Sequence, residues 1–425
     1  MTVSGFAGGR VHVVGAGLAG LSCAVALVRA GRPVVLHEAA GHAGGRCRSF
    51  LDPTLGRGID NGNHLVLSGN ARVNDYLAHI GAADKLSGPE TAEFPFMDLA
   101  SGARWFVRPG RGPIPVWLMS PSRRPPGIRF GDVLDALKLA RAQPGATVAD
   151  CLDTERPVFQ RFWAPLATAV LNARPEEGSA PLLWTTVRDT FARGEAACRP
   201  RMAQAGLSET FVDPAIAFLE GSGCAVRFND RIRSVGVDGN RIAELEFASG
   251  PVPLGEGESA VLALPPSGLA SVIQEIEVPR ASRAIVNGHF RLPRPVLDSR
   301  ILGLVGGLSQ WLFVRADIAS VTISAADHLL DTPPEALAAR MWPEVARALS
   351  LGEPPLPGYR IVKERRATFA QVPDELARRA PARTRWRNLA LAGDWTDTGL
   401  PATLEGAIAS GNAAAAAAVS ASGNT

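Results

Sequence analysis

Long apolar runs are missing from this 425-residue chain. Nowhere do about 18 apolar residues follow one another, the length a helix needs to cross a bilayer, so no spanning helix is expected. The alanine run Ala413 to Ala418 is too short and too weakly hydrophobic for that task and reads as a helix tail. Net charge is nearly absent as well: Lys plus Arg (44) and Asp plus Glu (41) leave +3, too little to argue for a nucleic-acid partner. Cysteine is sparse. The five residues Cys23, Cys47, Cys151, Cys198 and Cys224 are scattered, odd in number and form no CxxC pair, which speaks against a disulfide scaffold or a metal framework and fits a reducing compartment. Tyrosine is limited to Tyr76 and Tyr359. No charged leader with an apolar core precedes the first apolar strand, so no signal peptide is expected.

What is present is a globular composition, 46% hydrophobic and 20% charged, on a chain long enough for two connected domains. The stretch from Arg10 to Gly20, RVHVVGAGLAG, passes from an apolar run through glycines into the helix-favouring LSCAVALVRAG. Strand, tight turn and helix in that order form a phosphate site. Gly15 takes the bend, Gly17 lets the backbone approach a pyrophosphate, Gly20 lets helix and strand pack closely, and the helix N-terminus offers free N–H groups. Ala19 lies in the same turn. The motif gains weight from an acidic residue about 20 positions on, at the end of a second strand. RPVVLHE supplies it as Glu38, whose carboxylate is expected on ribose hydroxyls.

Behind Glu38 stands Gly44-Gly45-Arg46. A nicotinamide dehydrogenase has no need of it. In a flavin enzyme the glycine pair lets the main chain slip beside the dinucleotide, and Arg46 brings a cation to the pyrophosphate and the flavin edge. Next, a strand pair at Cys47–Leu51 and Gly58–Ile59 leads into DNGNHLVL. Asp60, Asn61, Asn63 and His64 there form either a hydrogen-bonded turn or a functional cluster. In the second case Asp60 and His64 titrate in a pocket, with desolvation letting Asp60 hold a proton near neutral pH.

From Asn70 to about Pro200 the pattern becomes helical stretches cut by prolines. Pro109 to Phe130 mixes Ile114, Val116, Trp117, Leu118 and Met119 with Arg111, Arg123, Arg124 and Arg129, and Arg108 precedes it. That segment is either a proline-rich loop packed on its domain or a peripheral membrane contact. Phe159, Phe162 and Trp163 line a core or a pocket. Nucleotide-domain grammar returns with a helix at Pro214–Gly221, a strand at Ala225–Phe228, a hairpin through Asp238-Gly239-Asn240 and the apolar strand SAVLALPP. Sheet alternation marks WLFVRADIASVTISAA. Near the end, a strand at Leu389–Ala392 meets Gly393-Asp394, and a small-residue helix begins near Pro401. Asp394 suits ribityl hydroxyls, and Gly406-Ala407 suit a close isoalloxazine.

Together Gly15, Gly17, Gly20, Glu38, Gly44-Gly45-Arg46, Gly393-Asp394 and Gly406-Ala407 resemble the flavin-containing amine oxidoreductase superfamily. The resemblance implies FAD as cofactor and an α/β fold: a discontinuous Rossmann-like FAD-binding domain (1–70, 207–266, 382–425) with an α+β substrate domain (71–206, 267–381). It also implies a backbone contact to adenine from Ile232. Three longer stretches, GIDNGNHLVLSGN, WAPLATAVLNARPEE and LAGDWTDTGLPATLEGAIASG, are similar to the squalene-associated FAD-dependent enzymes of bacterial hopanoid pathways. These imply that reduced FAD passes a hydride to hydroxysqualene, a polyisoprenoid, as water leaves. Asp60, His64 or a water they hold is then the acid. A carotenoid-type desaturase shares cofactor and substrate type, and an amine oxidase shares the cofactor, though the two tyrosines do not flank the C-terminal flavin motif. A non-catalytic flavin or lipid binder is the remaining alternative. The expected location is the cytoplasm, with contact to the inner face of the cell membrane through 109–130. No motif assigns the electron donor.

Overall fold

The computed structural model describes residues 8–112, 116–296 and 300–421. Its organising element is a five-stranded parallel sheet whose order is Ala225–Arg227, β2 (Val34–His37), β1 (Val11–Val14), Ser259–Leu262 and Leu389–Leu391. Parallel strands covered on both faces read as unbroken apolar runs, and all four positions of β1, β2 and Ser259–Leu262 are buried. One face is covered by α1 (Leu18–Arg29) and by the helix Leu404–Ala421, which pack on each other. Small residues allow this: a side chain at Gly411 would run into Ser22 and the backbone of α1. On the other face sits a three-stranded antiparallel meander, Ile232–Asp238, Arg241–Phe247 and Gly250–Pro253, whose first turn is the expected hairpin.

A second sheet of seven strands runs in the order Tyr359–Phe369, Ser282–Arg291, Ile318–Ile323, Trp311–Arg315, Arg300–Val305, Phe94–Asp98 and Arg104–Val107. All its pairings are antiparallel except Arg300–Val305 with Phe94–Asp98. The helix Pro334–Leu349, opened by proline at its first turn where no N–H is needed, lays Leu337, Met341 and Val345 on this sheet beside Phe290. A satellite of short helices between Ile128 and Val187 forms its own core around Phe159 and Trp163.

Just past the expected boundary at 70, Val73, Tyr76 and Leu77 pack against α1 and the parallel sheet, Tyr76 Oη donates to the Phe211 carbonyl (2.8 Å), and Glu405 pairs with Arg72 (3.2 Å). One expectation needs correction: the region to Pro200 is not purely helical. Phe94–Asp98 and Arg104–Val107 form the edge of the second sheet, and Pro200–Ala203 bridges two short strands. Among the described residues no helix is long and apolar enough to cross a membrane.

Candidate active site

Gly15 adopts φ +107°, and a side chain on Gly20 would collide with the Gly15 carbonyl oxygen, so the turn after β1 demands both glycines. Gly17 caps α1 with no side-chain hydrogen bond and no acidic residue in the first turn, so the first N–H groups of the helix stay open to an anion. A Cβ placed on Gly17 would meet no atom within 4 Å, which leaves room for a pyrophosphate there. Ala19 is buried one step into the helix, with its carbonyl taken by Ser22 Oγ (3.0 Å). Gly44 and Gly45, at φ +101° and +59°, bring the second loop against this turn, with Gly17 and Gly44 bridged and Gly44 N donating to Ala16 O (2.8 Å).

Glu38 stands at the end of β2. Its carboxylate accepts from Ala16 N (2.7 Å) and Ala40 N (2.8 Å), which orients it while leaving further lone pairs for ribose hydroxyls. Arg46 reaches across to the C-terminal motif, donating to Asp394 Oδ1 (2.8 Å) and to the Ala367 carbonyl. The Asp394 carboxylate holds the Arg46 guanidinium more firmly charged than usual, against desolvation. The Arg46 side chain keeps 39% of its surface exposed. Ser410 Oγ accepts from Gly393 N (2.9 Å), fastening that motif to the last helix. This helix starts at Leu404 rather than near Pro401. A side chain on Gly406 would strike the Pro401 carbonyl, so the turn itself already requires glycine, and Ala407 N closes it on Thr403 O (2.9 Å). Ile232 is buried at the start of its strand. The open helix terminus, the space at Gly17 and the partly exposed Arg46 cation fit a dinucleotide.

The stretch after β4 (Arg57–Asp60), which pairs with β3 (Ser49–Asp52), is tied to the seven-stranded sheet. Asn61 Nδ2 donates to Glu364 (3.1 Å), and Asn63 Nδ2 donates to Thr322 Oγ1 (2.9 Å). Asp60, His64 and Asn63 line a cavity of about 310 Å³ together with Arg315, Ser320 and Leu207. Asp60 is buried and hydrogen-bonded. Its carboxylate accepts from Ser49 Oγ (2.6 Å), Leu207 N (2.9 Å) and Arg315 Nη1 (2.9 Å). Burial lowers the pKa of His64 to about 4, with the Asp60 charge opposing and the Arg46 charge assisting. His64 is therefore a neutral imidazole at pH 7. Behind the wall, His289 Nδ1 lies 2.8 Å from Ser320 Oγ on the neighbouring strand, and burial lowers its pKa to about 4 too.

The structure brings Gly15, Gly17, Glu38, Gly44, Gly45, Arg46, Gly393 and Asp394 together at the carboxyl ends of the parallel strands, where open α/β sheets bind ligands. His64 lies near enough to Arg46 to feel its charge. The chain matches the family model described as flavin containing amine oxidoreductase over residues 18–419.

The chain belongs to the flavin-containing amine oxidoreductases.

Among its relatives, it is 45% identical over 406 residues to hydroxysqualene dehydroxylase of Rhodopseudomonas palustris, covering 95% of this chain and 97% of that protein. It is 44% identical over 407 residues to the protein of the same name from Sinorhizobium fredii, covering 96% and 97%. Among solved structures, cyclohexylamine oxidase from Brevibacterium oxydans superposes with a TM-score of 0.70 at 16% identity, covering 97% of this chain and 99% of that one, a likeness of fold alone. The expected family and fold are thus borne out, and this member is an FAD-dependent oxidoreductase. Two site residues were not anticipated. Arg315 ends the strand Trp311–Arg315 as a charge after four consecutive apolar residues, a pattern that also marks an ordinary strand end. Arg379 is buried and donates to the Thr396 and Leu400 carbonyls, which braces the loop behind Asp394.

Proposed function

We propose that this oxidoreductase converts hydroxysqualene to squalene. In that reaction the C–O bond breaks with its electron pair on oxygen, a proton turns the departing hydroxide into water, and a hydride fills the vacated carbon. Reduced FAD supplies the hydride. The observation that carries this reading is similarity to two hydroxysqualene dehydroxylases along nearly the whole chain. The cavity suits the chemistry, because Asp60, His64 and Arg315 share its wall with the apolar side chains of Ile59, Leu207, Phe313 and Ile318.

The segments built on the parallel sheet hold FAD through Gly15, Gly17, Ala19, Gly20, Glu38, Gly44, Gly45, Arg46, Ile232, Gly393, Asp394, Gly406 and Ala407. The seven-stranded sheet with its helices takes the isoprenoid. Asp60 and His64 handle the hydroxyl. Asp60 keeps the Arg315 guanidinium at the cavity wall, and neutral His64 offers its ring N–H to the leaving oxygen. Hydrogen-bond donation to that oxygen eases departure of a poor leaving group.

The test is product analysis after anaerobic incubation with reduced FAD and hydroxysqualene. Squalene is expected; formation of polyenes from carotenes by oxidised enzyme, with hydroxysqualene untouched, would instead identify a desaturase. Asp60→Asn and His64→Ala are expected to stay yellow and folded yet lose turnover. Unchanged rates in both would remove them from the mechanism.

Segment 109–130 meets the bilayer that stores such substrates. Met119 is 68% exposed, and Arg111, Arg123 and Arg129 of the same segment are exposed too, the pairing of an apolar side chain with cations that an interfacial contact requires. Residues 113–115, including Ile114, lie outside the described residues, as do the side chains of Val116 and Leu118. Flotation with anionic liposomes checks this; an Arg123/Arg124 double substitution that floats as well as the parent would reject it.

A further inference from the structure

A polar chain runs through the otherwise apolar nucleotide sheet. His12 Nδ1 on β1 lies 3.1 Å from His37 Nε2 on β2, His37 Nδ1 lies 2.9 Å from Asp230 Oδ2, and Ser249 Oγ donates to Asp230 Oδ1 (2.6 Å). His37 has no exposed surface and Asp230 only 5%. Both ring nitrogens of His37 are occupied, and the ring is held between His12 (centroids 5.4 Å) and Phe247 (4.2 Å, interplanar 13°). Burying a carboxylate and two imidazoles inside a parallel sheet is unfavourable unless every member is satisfied. Valine or leucine would fill these positions with less risk.

The place where this chain ends is informative. His37 directly precedes Glu38, the carboxylate that such sheets present to the ribose of a dinucleotide. Asp230 grips the same dipeptide twice. Its carboxylate meets the His37 ring, and its N–H donates to the Glu38 carbonyl (2.9 Å), while Glu38 N donates to Arg227 O (2.8 Å). The loop from Phe228 to Arg231 is thereby fastened to the main chain of Glu38, whose oxygens are aimed by Ala16 N and Ala40 N. We propose that His37, backed by Asp230 and Ser249, is a positioning residue for the adenosine half of FAD. It acts through Glu38 and touches no cofactor atom. The inference rests on FAD binding and is independent of the substrate.

The full-length apoprotein is titrated with FAD, with ADP as the adenosine half and with FMN as the flavin half. His37→Phe keeps a ring against Phe247 and removes the bond to Asp230. Its Kd for FAD and for ADP is expected to rise about 10- to 100-fold, the effect of losing a hydrogen bond to a buried charge, while the Kd for FMN stays unchanged. Ser249→Ala, at an exposed position, is expected to weaken FAD and ADP several-fold by the same pattern, and it decides the matter should His37→Phe fail to fold. Unchanged ADP affinity in the folded variants would overturn the proposal. So would an equal loss for ADP and FMN, because that marks a general structural defect.

Discussion

Acid should undo this protein through its buried histidines, and the size of the effect can be worked out. Burial lowers His12 and His289 from 6.5 to about 4, and both are almost wholly inaccessible. A folded-state pKa below the unfolded one means that the unfolded chain binds protons first. Stability is then complete above about pH 6.5, falls as pH drops towards 4, and is fully lost below that. At about 1.4 kcal/mol per pH unit of displacement, each histidine removes roughly 2 kcal/mol at about pH 5 and roughly 3 kcal/mol at the acid limit. Two such groups rival a large part of an ordinary domain's stability of about 5–15 kcal/mol. His37 shifts in the same direction through burial, opposed by Asp230. Urea unfolding of the apoprotein across this range, compared with His289→Asn, checks the arithmetic. Asparagine keeps a polar atom near Ser320 and does not titrate. The variant should start less stable and show a pH slope flatter by about 1 kcal/mol per pH unit between about pH 6.5 and 4. Coincident slopes would refute the view that burial holds His289 neutral.

Further tests address the site. Gly20→Val should yield protein without flavin absorbance or no soluble protein, since even a Cβ there collides with the Gly15 carbonyl; normal flavin content would contradict the close packing of helix and strand. Arg46→Ala should lower FAD affinity more than Arg46→Lys, which keeps a cation beside Asp394; equilibrium dialysis reads the order. Arg315→Leu strips the cation from buried Asp60, an event that costs about 3–5 kcal/mol for a fully buried pair and less here because Arg315 is 28% exposed. Pairing it with Asp60→Asn should recover part of the thermal stability without restoring turnover. Additive losses in that double-mutant cycle would show the two residues to be uncoupled.

The elements that the sequence disclosed are those whose signal is local. The turn from β1 into α1, Glu38 at the end of β2, Gly44-Gly45-Arg46 and Gly393-Asp394 each carry their chemistry within a few residues, and the strands at Ser259 and Leu389 stand out as apolar runs. Elements whose meaning lies in a distant partner were less visible. Phe94–Asp98 contains Pro95 and reads poorly as a strand, yet it pairs with Arg300–Val305 far along the chain. Residues 71–82 read as the start of a second domain, and the ties of Arg72 and Tyr76 to Glu405 and Phe211 show only in the fold. Asp60 reads as either part of a hydrogen-bonded turn or a titrating group in a buried pocket. The cation that sets its character arrives from Arg315, and no periodicity near Asp60 reports it.

The central claim is that the bound flavin gives up a hydride to an alcohol carbon held beside Asp60 and His64. A single-turnover experiment measures it directly: enzyme carrying fully reduced FAD is mixed anaerobically with hydroxysqualene, and flavin absorbance and extracted lipid are followed together. One squalene formed per flavin reoxidised, at matching rates, is the predicted result. Flavin that stays reduced while hydroxysqualene is recovered intact would contradict the account.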